Sequence, residues 1–407
     1  MSFIYIPKSV DFIIDTLNKN NYEAFIVGGC VRDGIMNKSP KDFDITTSAK
    51  PMEIKKLFSK TIDTGIQHGT VTVVIDSVNY EVTTYRIDGN YNDCRRPEKV
   101  TFTNDLKEDL LRRDFTINAI AYHKNLGFID PFNGILDINN KIIKGVGDPD
   151  KRFKEDALRI LRCIRFSVQL GFSIEDNTYK ALLNNIELIK NISVERIRDE
   201  LEKLFLGEYL ENIKYLFDSN VLKYINTDLY NYLQNNFYHN ISFLKKCDLN
   251  IIDRLVIIFK DIDLKVLNNI LKYLKFSNKE IKCIYTLVEN INIDIYSEEY
   301  IIRKYMSKLG VDLFFRLLNL KQILGYNIEN IKTIANNILK RKDPLTLKDL
   351  HINGNIIKSK NICSDKNIGK VLNYILDLVL KDTSLNNENT LINLCEEFCN
   401  NEKNKTF

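Results

Sequence analysis

Cysteine, histidine and long apolar runs are all scarce in this 407-residue chain, and each scarcity removes a class of protein. Eight cysteines are too few for a disulfide-stapled scaffold. Only Cys395 and Cys399 stand close together, with no second pair to match and four histidines in all, so no zinc site is expected. The cysteines read as reduced core residues of a cytoplasmic protein. No stretch approaches the roughly 18 unbroken apolar residues of a membrane span. The opening MSFIYIPKSVDFII is interrupted by Lys8 and Asp11 and lacks a small-residue cleavage site, so no signal peptide is expected. Lys plus Arg outnumber Asp plus Glu by only 58 − 54 = 4, too mild a balance to imply nucleic-acid binding without a local patch. With 44% hydrophobic and 28% charged residues the composition is globular, which excludes wholesale disorder. The length suits two to three domains.

What is present changes in texture near residue 150. Before it, short β-rich and helical runs alternate. Val10, Ile13, Ile14 and Leu17 have helical spacing. Ala24–Val27 reads as a buried strand ended by Gly28-Gly29. Thr70–Ile75 and Tyr80–Tyr85 flank the turn Asp76-Ser-Val-Asn79 and read as a hairpin. Beyond residue 150 the strands are expected to disappear. Lys151–Leu170 reads as one long helix, followed by helices at Asn177–Ile189 and Ser193–Leu206 and by Ile/Leu/Asn/Lys-rich helical segments to the end. Proline and glycine thin out there, which suits stacked helices with short connections.

The chemistry concentrates in Gly28-Gly29-Cys30-Val31-Arg32-Asp33 and Asp42-Phe43-Asp44. Two glycines at a strand end let the backbone approach a phosphate, and the helix that follows turns its amides toward it. Arg32 can reach the same anion. A double glycine is also an ordinary turn. In a strand, residues i and i+2 face one side, so Asp42 and Asp44 would converge. Adjacent carboxylates repel, and a cation relieves them; Mg²⁺ takes one or two carboxylates plus substrate phosphates. A solvated edge strand with two aspartates is the plainer alternative. If the strand carrying Glu81 neighbours Asp42 and Asp44, three acids surround a metal centre, with Asp114 the runner-up as third acid.

At this point the residues resemble the nucleotidyltransferase superfamily, specifically the class II tRNA nucleotidyltransferases (CCA-adding enzymes) and bacterial poly(A) polymerases. Five segments match in order: Gly28–Asp33 with Asp42 and Asp44, Arg112–Ala119, Asp130–Asp137, Glu155–Arg162 and Ser193–Glu200. Asn133 departs from the pattern, standing where the family usually has a glycine. Thr64–Thr70, Asp148–Arg159, Leu345–Gly354 and Ile368–Asp377 look like the tRNA-enzyme branch. No His-Asp phosphohydrolase pair is evident, so no hydrolase module is assigned.

The resemblance implies an α+β chain: a nucleotidyltransferase (polymerase-β-like) mixed-sheet head over 1–145, a helical neck over 146–206, and an elongated all-helical, tRNA-binding body and tail over 207–407. It implies a template-independent enzyme that adds C, C and A to tRNA from CTP and ATP with Mg²⁺. Asp42, Asp44 and Glu81 would be catalytic, Asp42 and Asp44 holding the metal. Gly28, Gly29, Arg32, Arg113, Asp156, Arg159, Arg162 and Arg165 would bind the nucleotide. Base choice has a physical reading, because cytosine and adenine both place an amino donor beside a ring-nitrogen acceptor, whereas uracil and guanine reverse the pattern. An ionised Asp only accepts and an Arg only donates, so Asp156 and Arg159 would suit C and A. Spaced i, i+3 on a helix, Asp156, Arg159 and Arg162 would form one stripe, which is also how a salt-bridged helix surface looks. The segment Arg86–Glu98, rich in Gly, Asn, Asp and Pro, reads as a mobile loop rather than a strand, and in the family such a loop accompanies terminal A addition. Arg303, Lys304, Lys308, Arg316, Lys321 and Lys340–Lys342 would face tRNA phosphates or simply be solvated. A poly(A) polymerase, an A-only enzyme and a non-catalytic RNA-binding protein are the alternatives. Oligomeric state is not legible.

Overall fold

The computed structural model describes residues 4–89, 100–248 and 250–404. The chain folds as two compact units, Met1–Asn235 with Tyr273–Lys275, and Asn236–Lys272 with Phe276–Phe407.

The first unit begins with helix α1 (Lys8–Lys19), whose buried face is Val10, Ile13, Ile14 and Leu17, as their spacing requires. Strand β1 (Ala24–Val27) is buried throughout and leads directly into α2 (Gly29–Ile35). After β2 (Asp44–Thr47) come α3 (Pro51–Leu57), β3 (Thr61–Gly65), β4 (Thr70–Ile75) and β5 (Val78–Thr84). The β4–β5 turn is tighter than the sequence suggested. Asp76 and Ser77 both take positive φ, 49° and 65°, so two residues reverse the chain and Val78 and Asn79 join the ladder. Arg86–Asp88 is also strand rather than loop. This β6 pairs with β7 (Val100–Phe102), while residues 90–98 of the expected loop lie outside the described residues.

Helix α4 (Leu106–Leu111), β8 (Ala121–His123), β9 (Gly127–Ile129) and α5 (Gly134–Asn139) complete the head. Seven strands make one mixed sheet in the order β3-β4-β5-β2-β1-β8-β9. Only β2 and β5 are parallel neighbours. That register matters for the site. Val27 lies opposite Asp44, and the Ile45–Val82 pairing brings Glu81 alongside Asp44, since each precedes its partnered residue on parallel strands. Behind this edge sits a core that includes Phe25, Val27, Tyr85, Leu106 and Leu110. Emptying a fully buried position such as Leu110 by Leu→Ala removes about 2–5 kcal/mol.

The turn before α5 explains the Asn133 departure. Asn133 adopts left-handed φ 61°, a conformation glycine takes freely and asparagine tolerates. The adjacent Gly134 is compulsory for another reason: a Cβ there would lie 2.2 Å from the Thr116 carbonyl oxygen.

The expected long helix over 151–170 is two helices. A two-residue strand β10 (Ile142–Ile143) precedes α6 (Pro149–Glu155), which starts at Pro149 with Asp148 capping the Asp150 amide. At Asp156 the backbone turns extended (φ −139°), and α7 (Leu158–Leu170) starts afresh with the Leu158 amide donating to Asp156 Oδ1 at 3.1 Å. Apolar periodicity continues across the break, which hides it from a helical-spacing argument. A short β11 (Ser173–Ile174) pairs with β10, so strand structure does extend past residue 150. Helices α8 (Asp176–Asn185) and α9 (Val194–Phe205) follow. No strand follows Ile174 among the described residues.

The second unit is helical, with Leu255, Ile257, Leu287, Ile302 and Leu317 in its interior. Its basic residues are largely spoken for. Arg303 is buried, donating to the Leu380 carbonyl and pairing with Asp343 at 2.9 Å. Lys321, 2% exposed, donates to the carbonyls of Ile291 and Ile293. Arg316 pairs with Asp253, and Arg341 with Glu299 and Asp343. Arg303 and Lys321 therefore tie helix ends together and are withdrawn from the surface expected to meet RNA. Lys304, Lys308, Lys340 and Lys342 stay exposed.

Candidate active site

Two concavities flank Asp44. The larger, ≈ 420 Å³, is lined by Gly28, Gly29, Asp44, Arg113, Asp114, Asp156, Arg159 and Arg162, all singled out in the sequence, and by Arg112, Asn118, Leu158, Phe166 and Arg196. The smaller, ≈ 180 Å³, is lined by Val27, Ile45, Thr70, Glu81, Thr83 and Arg86, and shares Asp44, Arg112 and Arg113 with the first. Gly28 is where the backbone must yield. Its φ is +83°, and a Cβ there would meet Arg113 Nη1 at 3.2 Å and Asp44 Oδ2 at 4.0 Å.

Asp44 opens β2, but Asp42 precedes the strand; both residues are exposed, and the two acids do not share strand geometry as the spacing suggested. They still sense each other. The Asp44 carboxyl is pushed up first by its partial withdrawal from water, then by the charges of Asp42 and Glu81, with Arg113 opposing. Among the described residues, no group of three or more His, Cys, Asp or Glu side chains is drawn together closely enough to hold a metal by itself. A raised folded-state pKa has a definite sign in stability. The native state holds the Asp44 proton more tightly than the unfolded chain, so this group's contribution falls as pH rises above the ordinary carboxylate value through the raised one, and stays low above it. Asp44→Asn is therefore expected to raise the Tm at pH 7 and to flatten this part of the pH profile. A thermal melt between pH 4 and 7 checks it; a lower Tm at pH 7 would contradict the repulsion. Next door, burial pushes the Cys30 thiol up to about 12, which makes it a packed side chain and not a nucleophile.

The arginines are held by buried acids. Asp109 on α4, fully buried, accepts from Arg112 Nε and Nη2 at 2.9 and 2.7 Å, from Arg113 Nη2 at 3.4 Å and from the Thr46 hydroxyl at 3.1 Å. It anchors α4 to β2 and fixes Arg113 between Gly28 and Asp44. Asp114 accepts from the Phe115 amide at 2.8 Å, Asn118 at 3.1 Å, and Arg162 Nε and Nη2 at 2.9 and 2.6 Å. Burial would push its carboxyl up, but the charge and hydrogen bonds of Arg162 overrule that and hold it far below the usual range. Asp114 is thus committed to Arg162, whereas Glu81 lines the smaller cavity together with Asp44.

Asp156 and Arg159, the two residues expected to read the base, stand at the helix break. Asp156, besides capping α7, accepts from Arg196 Nη2 at 2.9 Å and Nη1 at 3.3 Å across from α9. Arg159 is buried and donates to Glu155 Oε2 at 3.1 Å and to the carbonyls of Arg152 and Arg112 at 3.2 and 2.9 Å. The second of these carbonyls ties Arg159 to the residue beside Arg113.

Arg32 and Arg165 stand behind the wall rather than on it. Arg32 donates to Asp33 and to Asn118 Oδ1 at 2.8 Å; Arg165 is buried against Glu200 and Gln169. Both crowd the ring of Phe166, as does Arg162: the guanidinium carbons lie 5.3 Å (Arg32), 5.3 Å (Arg162) and 4.0 Å (Arg165) from its centroid. A ring face carries negative potential, so Phe166 holds three like charges near one another with less repulsion. Sequence reasoning missed Phe166, Arg196, Asn118 and Asp109. Phe166 reads as one more core aromatic, and the roles of the others depend on contacts between distant segments; the only hints are that Asn118 and Arg196 fall in the matched segments Arg112–Ala119 and Ser193–Glu200.

Three family models match the chain: the poly A polymerase head domain over residues 24–144, the probable RNA and SrmB-binding site of polymerase A over 171–233, and the putative tRNA nucleotidyltransferase domain 2 over 252–395. A CCA-adding enzyme of Leuconostoc citreum is 36% identical over 405 residues, covering 96% of each chain. The chain belongs to the CCA-adding enzyme family. The family member from Lactobacillus helveticus is 52% identical over 197 residues; in that stronger but shorter match the chain spans about half the relative's length, 49%. The Bacillus stearothermophilus CCA-adding enzyme, solved in complex with CTP, superposes with a TM-score of 0.81 at 28% identity over 97% of this chain and 98% of that one. The Thermotoga maritima CCA-adding enzyme, solved with tRNA, shares the fold at 22% identity and a TM-score of 0.59, over 96% of each chain. The CCA-adding fold is the mixed-sheet head and helical remainder found here, and it implies use of a divalent metal ion. Among the described residues, no helix is long and apolar enough to cross a membrane.

Proposed function

We propose that the chain is a template-independent tRNA nucleotidyltransferase that adds C, C and A to the tRNA 3′ end from CTP and ATP. One observation carries this: a single cavity holds Asp44 at one wall, arginines fixed by buried acids, and the Asp156–Arg159 pair at another. The 3′-oxygen of the RNA bonds to the α-phosphorus as the bond from that phosphorus to the β-phosphate oxygen breaks, and pyrophosphate leaves. The hydroxyl proton passes to a carboxylate of the acidic group. Arg113 and Arg162 offset the triphosphate charge, with Arg32 and Arg165 supporting Arg162 through Phe166. Gly28 and Gly29 let the backbone come close to the phosphates. Asp156 accepts from the exocyclic amine of C or A, and Arg159 donates to the ring nitrogen.

The carboxylates fit Mg²⁺. Withdrawal from water, with the charges of Asp42 and Glu81, raises the Asp44 carboxyl despite Arg113, which favours a cation there, and Mg²⁺ needs one or two carboxylates plus substrate phosphates rather than a complete protein cage. Asp42 and Asp44 would hold it, with Glu81 as third acid; bound there it supplies positive charge for the departing pyrophosphate. Residues 1–145 serve as catalytic head, 146–206 as neck and 207–407 as the tRNA-binding body and tail. The free thiols of the seven described cysteines suit a cytoplasmic enzyme.

Incubation with a tRNA lacking its 3′ end, labelled CTP or ATP and Mg²⁺ tests the proposal. The expected product gains C, C and then A and stops after three additions. A long A tail would instead select a poly(A) polymerase, and no product at all would contradict the transferase.

A further inference from the structure

We propose that the smaller cavity is the subsite for the 3′-terminal ribose of the RNA acceptor, and that the paired hydroxyls of Thr70 and Thr83 recognise it through its 2′-hydroxyl. This rests on the transferase reading and adds to it where the second substrate sits and what identifies it as RNA.

In phosphoryl transfer the attacking and leaving oxygens stand roughly in line across the reacting phosphorus. Both cavities share Arg112 and Arg113, but the larger one alone has the base-reading pair together with Arg162 and Arg196, so the triphosphate and its leaving pyrophosphate belong there. The attacking hydroxyl must then come from the other side of the acid that both cavities share, Asp44. The smaller cavity, which shares Asp44 but not Asp156 or Arg159, is assigned to it.

Its size and lining agree. At ≈ 180 Å³, less than half the volume of its neighbour, it suits a sugar rather than a base with three phosphates. Among the described residues, no aromatic ring lines it for a base to stack on. Its wall carries two hydroxyls, the Glu81 carboxylate and Arg86, whose guanidinium is fixed by Asp88 Oδ1 at 3.0 Å and by the His68 carbonyl. The register explains the hydroxyl pair. Thr70 and Thr83 are directly opposite on β4 and β5, and their Oγ1 atoms lie 3.0 Å apart. Alternation along β5 puts Thr83 on the same face as Glu81, the acid beside Asp44. One hydroxyl donates to the other, which uses one of the two hydrogens and leaves the second, with free lone pairs, for a ligand. A ribose 2′-hydroxyl both donates and accepts, and is the group by which a protein tells RNA from DNA. A deoxyribose end offers this pair nothing.

The test is a cycle of two acceptors and two proteins, with CTP and Mg²⁺. One acceptor is a tRNA lacking its 3′ end; the other is the same RNA with a terminal 2′-deoxyribose that keeps its 3′-hydroxyl. For the unaltered chain, kcat/KM is expected to be about fivefold to tenfold lower on the deoxy-ended acceptor, the worth of one net hydrogen bond. Thr83→Val, close in shape and favoured in strands, is expected to lose a similar factor on the ribose-ended acceptor and little more on the deoxy-ended one, with the KM for CTP unchanged. Thr70→Val provides the same cycle should Thr83→Val not fold. Equal losses by the variant on both acceptors would overturn the proposal. So would indifference of the unaltered chain to the 2′-hydroxyl, or a loss carried by the KM for CTP. Incorporation by the unaltered chain on the ribose-ended acceptor reports on the transferase reading alone, so the two can fail separately.

Discussion

Asp44→Asn is expected to retain nucleotide binding and lose about a thousandfold in nucleotidyl transfer. The substitution keeps the size and the hydrogen-bonding reach of the side chain at the start of β2 but removes the charge that Asp42 and Glu81 crowd. If that charge holds the cation opposite the leaving pyrophosphate, its loss costs about 4–5 kcal/mol of transition-state stabilisation. At about 1.4 kcal/mol per factor of ten, that leaves roughly a thousandth of the rate. Single-turnover addition of CMP to a tRNA lacking its 3′ end measures it. The same protein is expected to melt at a higher temperature, and that pairing of lost rate with gained stability separates a catalytic acid from a structural one. Transfer within a fewfold of the unaltered chain would remove Asp44 from the chemistry.

The second large effect concerns base choice. In Asp156→Asn the side chain still accepts the Leu158 amide, because asparagine caps a helix as well as aspartate does, so the break between α6 and α7 survives. What changes is direction. Asparagine has an amide that can donate to the carbonyl of uracil or guanine, where aspartate offers only acceptors. Each buried mismatch costs about 1–3 kcal/mol, so removing one is expected to shrink the preference for CTP over UTP by about 10- to 100-fold. The ion pair to Arg196 also weakens, which lowers total turnover somewhat. Competition between labelled CTP and UTP in one reaction reports the ratio directly. An undiminished preference would mean that Asp156 shapes the helix break and reads nothing.

Much of this site was legible in the sequence because its parts are local. The buried strand Ala24–Val27, the glycine that must follow it and the acid at 44 are short-range signals; the sequence left open whether the Glu81 strand lies beside Asp44, and the register of β1, β2 and β5 puts it there. The failures were of three physical kinds. Helical periodicity over 151–170 carried no trace of the break at Asp156, because the apolar face is nearly continuous on both sides and the break is held by a carboxylate cap and by Arg196, 40 residues away. Asp76 and Ser77 accept positive φ without a glycine, so the turn looked longer than it is. The charged residues of the second half, taken as surface cations, include two whose side chains satisfy buried carbonyls, a fate that depends on helix packing and not on residue type.

Asp109 shows the same limit from another side. It looks like a helix surface acid in the sequence, yet it is buried and holds the two arginines that stand between the cavities. A buried acid with two cationic partners is held well in its ionised form, and that charge fixes where Arg113 points. The site is therefore two anions, Asp109 and Asp114, holding cations in place around a third anion, Asp44, that is left short of partners.

The most direct test of that arrangement is equilibrium binding of CTP, ATP, UTP and GTP to the Asp44→Asn chain, where transfer no longer obscures affinity. CTP and ATP are expected to bind, with UTP and GTP weaker by about 10-fold or more. Equal affinity for all four, or no measurable binding of any, would contradict a cavity in which Asp156 and Arg159 choose the base and Asp44 acts on it.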